Sequence, residues 1–265
     1  MLFSKILTDK NGDEYHRAVE VRKGKKVEIT LSRDDFMRRF QHNLTCYADV
    51  FIPAGGRPST INEENVRDYF PDGKPSFRAI VEGANSFITP AARDYIQQQG
   101  VADVKDASAN KCGVITSSYE ILAGLMLSEE EFRAAKAELV PQVMEILEQR
   151  AKREAEWLYQ EHHATGEPLT RLTDRLSREI NQINDRIRAY LKQHPEFVTD
   201  ALVKSHLPRL FSTRYADRPA RLPAEYRRDV VSVELACRQV FAATASDPGE
   251  QLKALMTEQE RAAMR

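Results

Sequence analysis

Three short apolar runs, each followed by a loop rich in glycine or asparagine, constrain the fold of this chain more than any other feature. They are Asp49 to Pro53 before Ala54-Gly55-Gly56, Ala79 to Glu82 before Gly83-Ala84-Asn85, and Val101 to Lys105 before Asp106-Ala107-Ser108-Ala109-Asn110. Helical segments lie between and after them, and strands alternating with helices predict a parallel sheet with helices on its faces. Asn62 to Tyr69 reads as a short helix. Thr89-Pro90 supplies an N-cap and first-turn proline for a helix through Gln99, with Gly100 placed for a left-handed C-terminal residue. The next helix, Cys112 to Leu127, carries Val114, Ile115, Ile121, Leu122, Leu125 and Met126 on more than one stripe, which predicts burial on several sides.

Two different zones flank this one. Residues 1–47 read as a β-rich lead-in: Asn11-Gly12 is a hairpin signal, and a turn at Arg22 to Lys25 separates Ala18 to Val21 from the alternating Val27 to Leu31. Ser32 and Asp35 form a capping pair ahead of Phe36 to Phe40. Residues 128–265 are charged and helical. Ser128 to Glu131 opens them as a capping box, and Pro141 is expected to break or kink the helix. Val143, Leu147, Ala151, Ala155 and Leu158 form one apolar stripe, and Leu172, Leu176, Ile180, Ile183, Ile187 and Tyr190 another. After Pro208, Pro219 and Pro223 a last helix is expected through Glu234 to Phe241.

With 265 residues, 42% of them hydrophobic, the chain can bury a substantial core. Lys plus Arg total 39 and Asp plus Glu 40, a formal charge of −1, which argues against a dedicated nucleic-acid or anionic-membrane binder. No apolar run is long enough to span a membrane and no secretory signal opens the chain, so a cytoplasmic protein is expected. Cys46, Cys112 and Cys237 are too few and too scattered for a disulfide framework or a zinc site.

Glycines directly after strands sit where α/β sheets open their ligand crevice. They let backbone approach a flat ring, and asparagine amides offer both donors and an acceptor. The same residues also serve as ordinary turn formers. Ser117 lies one turn from Val114 and Ile121; its hydroxyl either faces an anionic ligand or bonds back to its own helix, and Thr116 is equally open. No G-x-G-x-x-G turn, P-loop, G-x-S-x-G elbow, H-E-x-x-H or C-x-x-C pair occurs. His162-His163 and the arginines at 150–153, 171, 175 and 178 read as solvated helix faces, and Cys112 as structural.

The stretches Asp49 to Pro58, Val81 to Thr89 and Lys105 to Glu120 together resemble NAD-dependent glutamate dehydrogenases, most closely the large-subunit class. A looser likeness covers Pro223 to Ala236. The resemblance implies an α/β fold: a partial Rossmann-type parallel sheet with helices over 48–127, after the lead-in and before a mostly helical C-terminal region. It implies NAD as cofactor, with Ala54 and Gly55 approaching the nicotinamide and Asn85 and Asn110 binding its ribose or carboxamide side. Ser117 would bond the glutamate side-chain carboxylate and Val114 pack on its methylenes. Cys112-Gly113, preceded by Lys111, departs from the Gly-Gly preceded by Ala of small hexameric relatives. The family's catalytic lysine and aspartate and its pyrophosphate turn match nothing here, so no catalytic residue and no metal ligand is assigned. The expectation is the C-terminal portion of a larger enzyme, starting with the later half of its Rossmann-type domain and inactive alone, whose partners are L-glutamate or 2-oxoglutarate and further copies or the remainder of the dehydrogenase chain. A dehydrogenase for another amino acid, or a non-catalytic helical assembly module, are the rival readings.

Overall fold

A computed structural model describes residues 3–22, 25–36, 48–55 and 57–242. The chain divides into two compact units, Met1–Asp106 and Ala107–Arg265.

The first unit contains two three-stranded sheets. Strands β1 (Phe3–Thr8), β2 (Glu14–Arg22) and β3 (Lys25–Ser32) form an antiparallel meander. Its first turn is the one expected: Gly12 takes φ +89° and Asp9 accepts the amides of Asn11 and Asp13. The Ser32 cap is present, with its hydroxyl accepting from the Asp35 amide at 3.1 Å. Of the helix expected at 36–40 only Phe36 lies within the described residues, as do neither Cys46 nor Gly56.

The second sheet is the parallel one, in the order β4 (Ala48–Phe51), β5 (Phe77–Val81), β6 (Ala102–Val104). It is the partial Rossmann-type element, each strand starting or ending within about two residues of its expected bounds. Helix α1 (Pro90–Gln98) returns the chain from β5 to β6, capped by Thr89 and closed by Gly100 at φ +80°. The expected helix at 62–69 is a 3₁₀ turn, Val66–Tyr69. Ile61, Phe70, Phe77, Ile80, Phe87, Ile88 and Ile96 form the core of this sheet layer.

The second unit is helical: α2 (Cys112–Met126), α3 (Glu129–Thr165), α4 (Leu169–Gln193), α5 (Asp200–His206) and α6 (Ala224–Ala242). Pro141 does not break α3, which runs unbroken for 37 residues. Pro141 and Ala137 are both exposed, so the proline lies on the solvent side of the helix, where water can replace a lost helical bond. The stripe on α3 is also shorter than expected. Val143, Leu147 and Leu158 are buried, but Ala151 and Ala155 are exposed, and the half-buried Glu154 lies between them. Helix α2 is not buried on several sides: Tyr119, Leu122, Ala123 and Met126 enter the core, while Val114, Ile121 and Leu125 face outward. Hydrophobicity alone gave no way to tell a face buried by this chain from one left uncovered. The series on α4 does pack as expected, with Leu172, Leu176 and Ile187 buried.

Candidate functional site

The loops leaving β4 and β5 meet backbone to backbone. A Cβ on Gly83 would stand 3.1 Å from the Pro53 carbonyl oxygen and 3.6 Å from Ala54 Cα, so glycine is what allows this approach. Pro53 is buried, whereas Ala54, Gly55 and Asn85 are exposed. A Cβ on Gly55 would meet nothing within 4 Å, leaving open space above that backbone. Thus Ala54 and Gly55 come beside the loop that carries Asn85, at the carboxyl edge of the parallel sheet.

The Asn85 loop is stitched down on its far side. Ser59 and Ile61 donate their amides to the carbonyls of Ser86 and Phe87 at 2.7 and 3.0 Å, and Thr89 donates to Ile61 at 2.9 Å. Ser86 itself holds φ +52°, a conformation L-residues seldom adopt, and its amide donates to Asp106 Oδ2 at 2.7 Å.

Beneath the loop lies a buried charge cluster that pattern reading did not single out. Arg93 on α1 forms a fork onto Glu82, Nε to Oε1 at 2.6 Å and Nη2 to Oε2 at 2.7 Å, and its Nη2 also lies 3.5 Å from Asp106 Oδ1. Glu82 and Asp103 are fully buried and Arg93 is 7% exposed. Asp103 occupies the buried position of β6, and as a carboxylate neither of its oxygens has a donor to accept from. Burial first, and then the neighbouring Glu82 charge, push its carboxyl up to about 8, so Asp103 carries a proton at neutral pH. Burial also pushes Glu82 upward, while Arg93 opposes that shift; the bidentate fork favours an ionised Glu82. The available signal was an aspartate at the centre of a short apolar strand.

In the second unit Asn110 is half-buried, and the segment around it is anchored by Ser108 Oγ to Thr173 Oγ1 at 3.0 Å and by Lys111 Nζ to Glu154 Oε1 at 2.6 Å. Val114 and Ser117 share an exposed face of α2, Val114 being 76% exposed. Ser117 bonds back to its own helix, donating to the Val114 carbonyl at 3.0 Å, and Thr116 donates to the Cys112 carbonyl at 2.7 Å. A cleft of about 650 Å³ borders the start of α2; Lys111, Cys112, Ile115, Met144 and Arg150 line it, and Val114 and Ser117 do not.

Two arginines expected on solvated faces are structural. Arg150, on α3, reaches Glu234 Oε2 at 3.4 Å and lies over the Tyr119 ring, and Arg175 bridges Glu161 and Glu167 beside Trp157. His162 is half-buried, its Nδ1 2.8 Å from the Glu167 carbonyl past the end of α3. Burial pushes the Cys237 thiol up, whereas Cys112 is exposed rather than structural. Among the described residues no cluster of His, Cys, Asp and Glu could hold a metal ion, and no helix is long and apolar enough to cross a membrane.

Open α/β sheets bind their ligands at the carboxyl ends of the strands, which is where these two loops meet. The match to the Glutamate/Leucine/Phenylalanine/Valine dehydrogenase family model covers residues 4–167, and the chain belongs to that family. The match takes in the antiparallel lead-in and α3, well beyond the motifs at 48–127. Over 220 residues the chain is 36% identical to glutamate dehydrogenase 2 of Dictyostelium discoideum, covering 78% of this chain and 21% of that one. With a probable NAD-specific glutamate dehydrogenase of Schizosaccharomyces pombe it shares 33% identity over 234 residues, 82% of this chain and 21% of the relative. An NADP-specific glutamate dehydrogenase of Saccharolobus shibatae is 36% identical over 91 residues, 33% of this chain and 20% of the relative. The chain therefore spans about a fifth of the length of the curated relatives it matches. No solved structure matches it.

Proposed function

We propose that this chain forms the nicotinamide side of an NAD-dependent glutamate dehydrogenase, in an enzyme that converts L-glutamate to 2-oxoglutarate and ammonia. The supporting observation is the contact of the 53–54 and 83 backbones at the carboxyl edge, with Asn85 displayed there, in a chain similar to enzymes named as NAD-specific glutamate dehydrogenases. The first unit fits the cofactor: open space above Gly55 admits a flat ring on the same edge as the exposed Asn85, whose amide is suited to a ribose or carboxamide, and Asn110 is assigned the same kind of contact. NAD, when bound, accepts the hydride from the glutamate α-carbon. Ala54 and Gly55 would approach the nicotinamide, and the asparagines would help to orient it, a part of the positioning of both reactants that as a whole is worth roughly 7–11 kcal/mol of barrier in favourable cases. The Ser117 hydroxyl, now directed at its own helix, turns to donate to the side-chain carboxylate of glutamate, and the exposed Val114 packs on its methylenes. No residue here is assigned the proton transfers.

The family description also names leucine, phenylalanine and valine, and a polar Ser117 favours a carboxylate over an apolar side chain. NADH titration of the enzyme containing this chain, followed by the nucleotide's own fluorescence, should saturate, and Asn85→Ala should weaken it about tenfold, the loss of one to two hydrogen bonds. In glutamate-dependent NAD reduction by the enzyme containing this chain, Ser117→Ala should raise the glutamate KM and leave NAD affinity in place. Equal effects on both ligands contradict the Ser117 assignment. NADH affinity that Asn85→Ala leaves unchanged favours the assembly-module reading, to which the outward apolar residues of α2 lend support.

A further inference from the structure

We propose that Arg93 is a positioning residue for the carboxyl-edge loops, gripping Glu82 before Asn85 and, through Asp106, Ser86 after it, so that Asn85 is presented in one geometry. The proposal rests on the reading of this edge as the nicotinamide side and adds to it a residue that makes no ligand contact of its own.

Four links close a ring around the Asn85 turn. Glu82 is the residue after β5 and accepts the Arg93 fork through both carboxylate oxygens. The same guanidinium approaches Asp106 Oδ1, and the other Asp106 oxygen accepts the Ser86 amide. Only Gly83, Ala84 and Asn85 lie between the two held points. Ser59 and Ile61 hold the carbonyls of Ser86 and Phe87, and the Asp106 bond to the Ser86 amide adds the hold on the Asn85 side of that strained residue. Burial makes the clamp strong, since a guanidinium paired bidentately out of water loses much when its geometry is altered. Lysine cannot replace it, because one ammonium cannot serve both Glu82 oxygens and Asp106 in this fork geometry.

The experiment is hydrogen exchange on the 265-residue protein and its Arg93→Met and Arg93→Lys variants, read residue by residue, together with NADH titration of the enzyme containing this chain and the same substitutions. For Arg93→Met we expect exchange at Ser86 at least tenfold faster, with amides inside β5 and α1 changed far less; Arg93→Lys should fall between. NADH affinity should drop about tenfold in Arg93→Met, and the loss should be much smaller when Asn85→Ala is already present, because the clamp acts through Asn85. Should Arg93→Met not fold, Arg93→Lys carries both measurements. Ser86 exchange that is unchanged, or that rises only in step with the whole of β5 and α1, overturns the clamp. A freed loop with NADH binding intact overturns the positioning role while leaving the nicotinamide reading in place. NADH affinity of that enzyme unchanged by Asn85→Ala removes the nicotinamide reading and the cofactor role with it, and the exchange data then still report on the clamp alone.

Discussion

Asp103→Asn keeps the shape of the protonated acid and abolishes its titration. In the folded protein the Asp103 carboxyl titrates at about 8 against an ordinary 3.8, because it is fully buried beside Glu82. Between those values the unfolded chain has released the proton and the folded chain still holds it, so stability falls as pH rises, by up to about 1.4 kcal/mol per pH unit. A little over three such units separate 3.8 from neutrality, giving a cost of about 4 kcal/mol at pH 7 as an upper value for the first unit. Asn carries no such cost, and its amide can donate to Glu82 in place of the acid proton. Native-state hydrogen exchange at the β5 amides, corrected for intrinsic rates, reads this unit; Trp157 fluorescence in urea reads the other and serves as control. The stability difference between Asp103→Asn and the parent protein should be smallest near pH 4 and grow steadily to pH 8. Parallel profiles across that range would show that Asp103 is ionised in the fold, and the argument from burial would be wrong.

The second unit should respond to pH in the opposite sense. Burial alone would raise Glu234, but the hydrogen bond with His206 and the nearby Arg238 and Arg150 hold it at about 2, while burial lowers His206. Ionised Glu234 favours the fold at neutral pH and that stability is lost as pH falls from about 4.5 towards 2, while below about 6.5 the unfolded chain takes up a proton that buried His206 resists, so Trp157 should report acid destabilisation. Glu234→Gln should cost about 2–3 kcal/mol in urea denaturation by stripping the counter-charge from Arg150 and Arg238. Tyr119→Phe, which leaves the buried His206 carbonyl without the 3.0 Å bond from the Tyr119 hydroxyl, should cost about 1–3 kcal/mol. Ile121→Asp, at a position 55% exposed, should shift stability by no more than about 0.5 kcal/mol; a much larger loss would mean that this face of α2 is covered.

Much of the first unit was readable because its signals are local. Asn11-Gly12, the Ser32 cap, Thr89-Pro90 and Gly100 each specify a turn or helix end through their own dihedral and hydrogen-bonding preferences, whatever surrounds them. The parallel sheet followed from strands alternating with helices. Pro141 was misleading for the converse reason: the cost of an interior proline depends on whether the freed carbonyl reaches water, which only the fold decides. The outward face of α2 was illegible in the same way, since Val114 and Leu122 are equally apolar and differ only in what lies opposite.

By itself the sequence determined the three strands of the parallel sheet, the turns and caps at Asn11-Gly12, Ser32, Thr89-Pro90 and Gly100, and the dehydrogenase likeness of the motifs around Asn85 and Asn110, because these depend on residues within a few positions of one another. The tertiary structure alone decided that Glu82, Arg93, Asp103 and Asp106 share one buried cluster and that a single proton must be held within it. Residues spread over more than twenty positions acquire a common dielectric and a common charge balance only when β5, α1 and β6 pack together, and no spacing rule in the chain encodes that meeting.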